Sequence, residues 1–364
     1  MISRFSCEKD KVEFRKILGY NLQLVCGKLC DRNSLQIMKI QKELLESIKS
    51  IDVVPQGPNK ELDENRMSGR NDINVKTGIS RILIKGFYKA PDYKKQDIQH
   101  TFSHELFHSI YIFMNRKKDG KDLNGNRLLW SGRSNGEKVI GGGGSIVSYN
   151  SPIKYGKLFE ETMMDIKSTM ALAEFDEDYK LRNPGVTADT ILSDNVKRWG
   201  DNKRTAYIKM VPITQLMIAA CSNEPNIDYH ECIQDGFPMD RILTQRKNGE
   251  TLYANDFLYG MLYDPIHIME EYDKYMGDGE YIKLLKTTDL IYKKCLESDM
   301  IDTELAKEVM AKIAKFANIR TKILKNNNIF SDEEISEVSG RFNKIWNSML
   351  KEYEVCFNAS ELAK

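Results

Sequence analysis

The feature that most constrains this chain is the sequence His104-Glu105-Leu106-Phe107-His108. On an α-helix, positions i and i+4 lie on one face, so both imidazoles can bind a single metal ion. Glu105 lies beside that face, where its carboxylate can take a proton from a metal-bound water. The segment therefore predicts a metal-binding helix with an open coordination position.

The spacing of the histidines is unusual for this composition. The chain has only five histidines, and His100, His104 and His108 fall within nine residues. A chance H-E-x-x-H is expected in roughly one chain in a couple of hundred. His100 lies on the same face but about 12 Å along the axis from His108, too far to bind the same ion. We expect His100 at the lip of a cleft or at the surface. The alternative for His104 and His108 is an ordinary pair of helix histidines.

The flanking sequence predicts where this helix begins and ends. The start is expected at Ala90-Pro91-Asp92, because proline fits the first helical turn. Apolar residues then recur every three or four positions, at Ile98, Phe102, Leu106, Ile110 and Phe113. The end is expected at residues 116–118, Arg-Lys-Lys, where cations favour the negative end of the helix dipole and Gly120 follows.

Two segments beside the helix carry further signals. Residues 75–88 are rich in β-branched and aromatic residues, and they predict a hairpin or an edge strand. Residues 119–152 are polar and contain four consecutive glycines, Gly141 to Gly144. Two interpretations stay open for these glycines: a mobile flap, or an exposed loop without a function.

A catalytic metal site needs a third protein ligand. A second predicted helix offers one, and its apolar stripe consists of Phe159, Met163, Ile166 and Met170. On a different face, Glu161 can bind the metal while Asp165, four residues later, accepts the free ring N–H of a ligating histidine. Glu160 is the competing ligand, but Met164 stands four residues after it and cannot accept that N–H. The remaining alternative is a charged helix face without a metal.

His104-Glu105-x-x-His108 followed by Glu161-x-x-x-Asp165 resembles the gluzincin group of metallopeptidases, the thermolysin-like arrangement. The resemblance implies Zn²⁺ bound by two histidines and Glu161, Glu105 as the general base, and hydrolysis of a peptide bond. It also implies a zincin-like fold with a mixed sheet beside the active-site helix. The chain departs from thermolysin in the long segment between the two motifs and in Glu160, where thermolysin has asparagine.

Peptide hydrolysis would also use a donor that stabilises the oxyanion. The candidates are Tyr149, Tyr155, Tyr207 and His230, and we predict Tyr155, six residues before Glu161. His230 better fits a structural or surface role.

Charge, cysteines and hydropathy bound the partners and the location. The net charge is +1, which gives no electrostatic reason to expect nucleic acid or a membrane as a partner. Seven scattered cysteines without a C-x-x-C pair indicate reduced thiols and a cytoplasmic location. The first residues lack the apolar core of a signal peptide, and no apolar stretch is long enough to span a bilayer.

We therefore expect an α+β protein that is mainly helical, divided into an N-terminal helical segment (1–70), a zincin-like catalytic core (71–225) and a helical C-terminal subdomain (226–364). Helical apolar stripes support this division, at Ile37, Ile40, Leu44 and Ile48, at Leu305, Val309, Ile313 and Phe316, and at Ile335, Val338, Phe342, Ile345 and Met349. The expected function is zinc-dependent hydrolysis of a peptide or protein substrate. The alternative is a zincin-like binding or regulatory protein that retains a structural zinc.

Overall fold

The computed structural model of the chain describes residues 2–5, 7–26, 42, 45–63, 68–74, 77–114, 116–121, 123, 127–129, 131–142, 145–151, 153–182, 184–185, 207–221, 243–245, 251–253, 265–328 and 330–357. Helices form the larger part of these residues, and the strands form one mixed sheet, one antiparallel sheet and two short two-stranded ribbons. The α+β, mainly helical class predicted from the sequence is therefore confirmed.

The first of two compact units contains the mixed sheet and the helices beside it. Its elements are β1 (Ile2–Arg4), α1 (Glu8–Cys26), β2 (Ile48–Val54), α2 (Lys60–Asp63), β3 (Gly69–Ile73), β4 (Ser80–Lys85), α3 (Lys95–Met114), β5 (Arg116–Lys121), β6 (Arg127–Leu129), α4 (Lys157–Phe175) from Met164 onwards, and α5 (Glu177–Arg182). Helix α4 is continuous, and its residues up to Met163 are counted with the second unit.

The mixed sheet has the strand order β1-β2-β4-β3. Strands β1, β2 and β4 run parallel, and β3 pairs antiparallel with β4, with Asn71 opposite Ile82. Ile82, Leu83 and Ile84 are all buried, as expected for a strand covered on both faces. The prediction of a hairpin or an edge strand within residues 75–88 is wrong, because this segment holds the single strand β4, which lies between β2 and β3 in the sheet. The hairpin partner β3 precedes the segment.

Helix α3 carries the two motif histidines and packs on β3, β4 and α1. A short 3₁₀ turn (Asp92–Lys94) with Pro91 as its N-cap leads into the helix, so the predicted start is confirmed. The ring of Phe102 meets the ring of Phe14 from α1 edge-on at 4.4 Å. The predicted end is wrong, because the Arg-Lys-Lys run forms β5 instead of a last helical turn.

The N-terminal segment is only partly helical. Helix α1 agrees with the prediction, but β2 runs through residues that were expected to be mostly helical or connecting. The sequence predicts Ile48 as the last member of a helical stripe, but Ile48 begins β2. The buried residues Ile51 and Val53 follow the two-residue alternation of a strand. The other members of that stripe, Ile37, Ile40 and Leu44, lie outside the described residues.

The second compact unit contains the antiparallel sheet and the C-terminal helices. Its elements are β7 (Ser131–Ser134), β8 (Glu137–Gly142), β9 (Ser145–Ser148), β10 (Lys154–Tyr155), the start of α4, α6 (Val211–Cys221), β11 (Leu243–Gln245), β12 (Thr251–Tyr253), α7 (Pro265–Met276), α8 (Glu280–Ser298), α9 (Thr303–Asn326) and α10 (Asp332–Glu352). Helix α6 is buried along its whole length and packs on α9 and α10.

The glycine-rich stretch is part of a β-hairpin. Gly141 lies in β8 and Ser145 begins β9, and the two strands pair antiparallel. A Cβ at Gly141 would collide with the ring of Pro265, so this glycine permits close packing against α7. The prediction of a loop is therefore wrong for Gly141 and Gly142, which lie in β8, and a mobile flap stays a prediction. Gly143 and Gly144 lie outside the described residues.

The C-terminal helices follow their sequence signals. Ser331 caps α10, and Glu334 completes the predicted capping box. Val309, Ile313 and Phe316 of the α9 stripe are buried. Among the described helices, none combines the length and the apolarity needed to cross a membrane.

Candidate metal centre

Helix α3 places His104 and His108 side by side. Both residues are buried, and their Nε2 atoms lie 3.3 Å apart. Two nitrogens that bind one tetrahedral zinc at about 2.0–2.1 Å are about 3.3–3.4 Å apart, so the rings already have the separation of two ligands. The i, i+4 spacing on a regular helix explains the arrangement without any special backbone geometry.

Glu161 is the carboxylate that accompanies the histidine pair. One ligand atom from each of His104, His108 and Glu161 can be chosen so that all three lie within 4.8 Å of one another. Glu161 is held on the second turn of α4, one turn before Asp165. Two imidazoles and one carboxylate form a donor set that suits zinc, so the residues present fit the ion that the sequence predicts.

Glu160, the competing ligand, is in a different environment. It is 1% exposed, and its Oε2 atom pairs with Nζ of Lys154 on β10. Burial lowers the pKa of Lys154, but the carboxylate of Glu160, with a smaller contribution from Glu161, more than offsets this, so that the pKa is raised above its usual value. The ammonium group therefore stays charged and holds Glu160. This pair could not be predicted from helix periodicity, because Lys154 lies on β10, before the helix that carries Glu160.

Asp165 lies against the other side of the histidine row. Its carboxylate is buried, and Oδ1 is 3.8 Å from Nδ1 of His104 and 3.5 Å from Nε2 of His100. It therefore lies on the side of His104 whose nitrogen does not point at His108, at a distance longer than a hydrogen bond. His100 is 13% exposed and also contacts Thr169, with Nε2 3.3 Å from Oγ1. The expectation of a surface position for His100 is wrong, because most of its side chain is covered, while a position at the lip of a cleft stays a prediction.

Strand β3 is tied to the helical turn that carries Glu105. Asn71 donates from Nδ2 to the backbone carbonyl of Glu105 at 2.6 Å and to Oγ of Ser109 at 2.8 Å. Ser109 Oγ also lies 2.6 Å from Ser80 Oγ on β4. These side chains fix the register of the strand against the helix, and sequence reasoning missed them, since isolated Asn and Ser residues carry no motif.

The N-terminus of α4 is capped from a distant helix. Asp289 of α8 accepts hydrogen bonds from the backbone N–H of Gly156 at 2.9 Å and of Leu158 at 3.4 Å. Gly156 directly precedes α4 and Leu158 lies in its first turn, where backbone N–H groups have no helical partner. Burial raises the pKa of Asp289 to about 6, although the backbone hydrogen bonds oppose this rise.

The three tyrosines considered as oxyanion donors each have a different neighbouring side chain. The ring of Tyr155 lies 5.4 Å from Nζ of Lys286, and the exposed ring of Tyr149 lies 4.0 Å from Nζ of Lys138. The ring of Tyr207 stacks on that of Tyr292 at 5.9 Å. His230 lies outside the described residues.

Tyr292, whose ring stacks on that of Tyr207, lies close enough to Glu161 for the carboxylate to affect its pKa. Burial raises its pKa, the nearby carboxylate of Glu161 raises it further, and a hydrogen bond with Tyr207 opposes the rise. The Tyr292 hydroxyl therefore stays protonated and able to donate. Sequence reasoning missed this residue, because it lies on α8, far from both motifs along the chain.

No protein-family model, curated protein or solved structure matches the chain.

Proposed function

We propose that the protein is a gluzincin-like zinc metallopeptidase, with His104, His108 and Glu161 as the metal ligands and Glu105 as the general base. The observation that carries the proposal is the 3.3 Å separation of the two histidine Nε2 atoms, with Glu161 beside them. Three protein ligands are the number that catalytic zinc sites use, which leaves a position for water and substrate.

Each residue would have a distinct task. A bound zinc would lower the pKa of a water to near neutrality and polarise the scissile carbonyl. Glu105 would accept the proton of that water and deliver it to the leaving amine. Asp165 would accept the Nδ1–H of His104, which keeps the lone pair on Nε2.

The substrate that this arrangement suits is an extended peptide. Strand β3 packs on the metal helix and has β4 as its neighbour on one side. Within the described part of the chain, no strand pairs with its other side. A peptide backbone can add to such an edge through main-chain hydrogen bonds.

The proposal also includes the zincin-like fold, the cytoplasmic location and the role of Tyr155 as oxyanion donor. The alternative oxyanion donor is the Tyr207–Tyr292 pair.

Substitution Glu105→Gln tests the proposal. Wild type and variant are purified, loaded with zinc and incubated with a mixed peptide library, and new termini are counted by mass spectrometry. We expect cleavage by the wild type and a loss of about 10²–10⁴-fold in the variant, with about one zinc in both. Addition of a chelator should stop cleavage by the wild type.

The alternative is a zincin-like binding or regulatory protein with a structural zinc. In that case both proteins would bind zinc and neither would cleave any peptide. A wild type that binds no zinc would overturn both functions.

A further inference from the structure

We propose that Gly69 is a positioning residue for Glu105, because the space that a side chain would fill at Gly69 is occupied by the side chain of the general base. This inference rests on the proposed function. It assigns to β3 a second task, the placement of the carboxylate that takes the proton, in addition to any contact with the substrate.

The contact is close. A Cβ built on Gly69 would lie 3.0 Å from Cγ and 3.3 Å from Oε1 of Glu105, and 2.8 Å from Cγ2 of Thr101. A side chain at Gly69 would therefore press on both the Cγ atom and the carboxylate of Glu105. It restricts the positions that the carboxylate can occupy on this side.

Backbone geometry does not explain the glycine. Gly69 pairs with Ile84 of β4, and its φ angle is not positive. Gly69 is the first residue of β3, and glycine in a strand often marks a close approach of another group to the backbone. At Gly69 the approaching groups are the side chains of Thr101 and Glu105, and Glu105 is the one of the two that carries a proposed catalytic role.

The neighbours of the contact are held in place. Thr101 donates from Oγ1 to the backbone carbonyl of Asp97 at 2.7 Å, which fixes its rotamer and keeps Cγ2 directed at Gly69. Strand β3 is held by Asn71, which bonds the Glu105 carbonyl and Ser109 on α3, and by its pairing with β4. The group that can move with least cost is the flexible Glu105 side chain.

A methyl group at Gly69 should therefore displace the carboxylate of Glu105 and leave the histidines where they are. The metal ligands project from other positions of α3 and from α4. Loss of proton transfer without loss of zinc is the expected signature, and a general loss of folding would not produce it.

The experiment compares wild type, Gly69→Ala and Gly19→Ala for zinc content and for kcat and KM on a peptide that the wild type cleaves. Gly19 is the matched control, because it lies in α1 and a Cβ there meets nothing within 4 Å. We expect Gly69→Ala to lower kcat by about 10-fold, because the carboxylate must shift by a few tenths of an ångström, whereas a misplacement of about 1 Å costs about 100-fold. KM should stay within about twofold, and zinc content and the visible spectrum of the cobalt-substituted protein should match wild type.

A second variant separates the two neighbours of the added methyl. Gly69→Ala/Thr101→Ser removes Cγ2 of Thr101 and leaves the contact with Glu105, so kcat should remain low. Recovery of wild-type kcat in this double variant would show that the effect passes through Thr101 and would overturn the inference.

The failure of this inference differs from the failure of the proposed function. An active wild type, an inactive Glu105→Gln and a fully active Gly69→Ala would overturn only the role of Gly69. A wild type that binds no zinc or cleaves no peptide would overturn both.

Discussion

The ammonium group of Lys154 pairs with the carboxylate of Glu160, one residue before the candidate ligand Glu161. Adjacent residues on a helix point about 100° apart, so Glu160 and Glu161 meet different surroundings. Glu160 is buried against a cation, while Glu161 belongs to the group that contains His104 and His108. The pair gives a physical reason for one of two neighbouring glutamates to serve as the metal ligand.

Substitutions at the two glutamates should therefore have different effects on metal content. We expect Glu161→Ala to lose most of its zinc at micromolar concentrations, because two histidines alone make a weak site. Glu160→Gln should keep about one zinc and unfold at a lower temperature, since Lys154 loses its charged partner. Atomic absorption and thermal unfolding check the two outcomes. Zinc loss in Glu160→Gln alone would assign the ligand to Glu160.

Asp165 should control zinc affinity without binding zinc. Its carboxylate faces Nδ1 of His104, and removal of such an orienting carboxylate weakens metal binding by about 10–100-fold. We expect Asp165→Asn to show this loss in a competition titration with a zinc chelator. Asp178→Asn, an exposed position on α5, is the matched control and should bind like wild type. Equal affinities for the two variants would remove Asp165 from the site.

Local periodicity predicted the two helices of the candidate site. The turn after Pro91 that leads into α3 and the apolar stripe of α4 follow from residues that are close in sequence. The predicted end of α3 was wrong, because the arginine and lysines that suit a helix terminus can equally form a short strand such as β5. Pairing with β6 selects the strand over a last helical turn, and a local sequence pattern does not predict this pairing.

Contacts that are distant in sequence could not be predicted. Asn71, Asp289 and Tyr292 act on the helices of the site from other elements, and none belongs to a motif. The loop predicted at the four glycines was wrong for a related reason. Composition suggested a flexible loop, whereas Gly141 is glycine because Pro265 packs against it.

The cap on α4 should make stability depend on pH through Asp289. The pKa of this buried carboxyl rises from 3.8 to about 6 in the folded state, so the folded protein binds the proton more tightly than the unfolded chain. The stability contributed by protonation is therefore fully present below about pH 4 and is lost as pH rises through about 6. A shift of about two units corresponds to about 3 kcal/mol.

Asp289→Asn isolates this titration from all others. We expect the free energy of unfolding of wild type to fall, relative to that of the variant, by about 3 kcal/mol between pH 4 and pH 7. Urea unfolding at four pH values in this range measures the difference. A difference that does not change with pH would mean that the Asp289 carboxyl has an ordinary pKa in the folded protein.

Loss of one partner of the Arg320–Glu271 ion pair should destabilise the protein more than replacement of both partners by apolar side chains. Arg320 on α9 is 1% exposed, and its Nε donates to Oε1 of Glu271 on α7 at 2.9 Å. Glu271→Leu leaves the buried guanidinium without this carboxylate and should cost about 3–5 kcal/mol of unfolding free energy. Arg320→Met/Glu271→Leu removes both charges and should recover most of that loss, because apolar side chains of similar size can replace a buried pair. Urea unfolding of the two single variants and the double variant completes the cycle. If the double variant is as unstable as the sum of the single variants, the two residues act independently, and the burial of Arg320 is stabilised by other contacts.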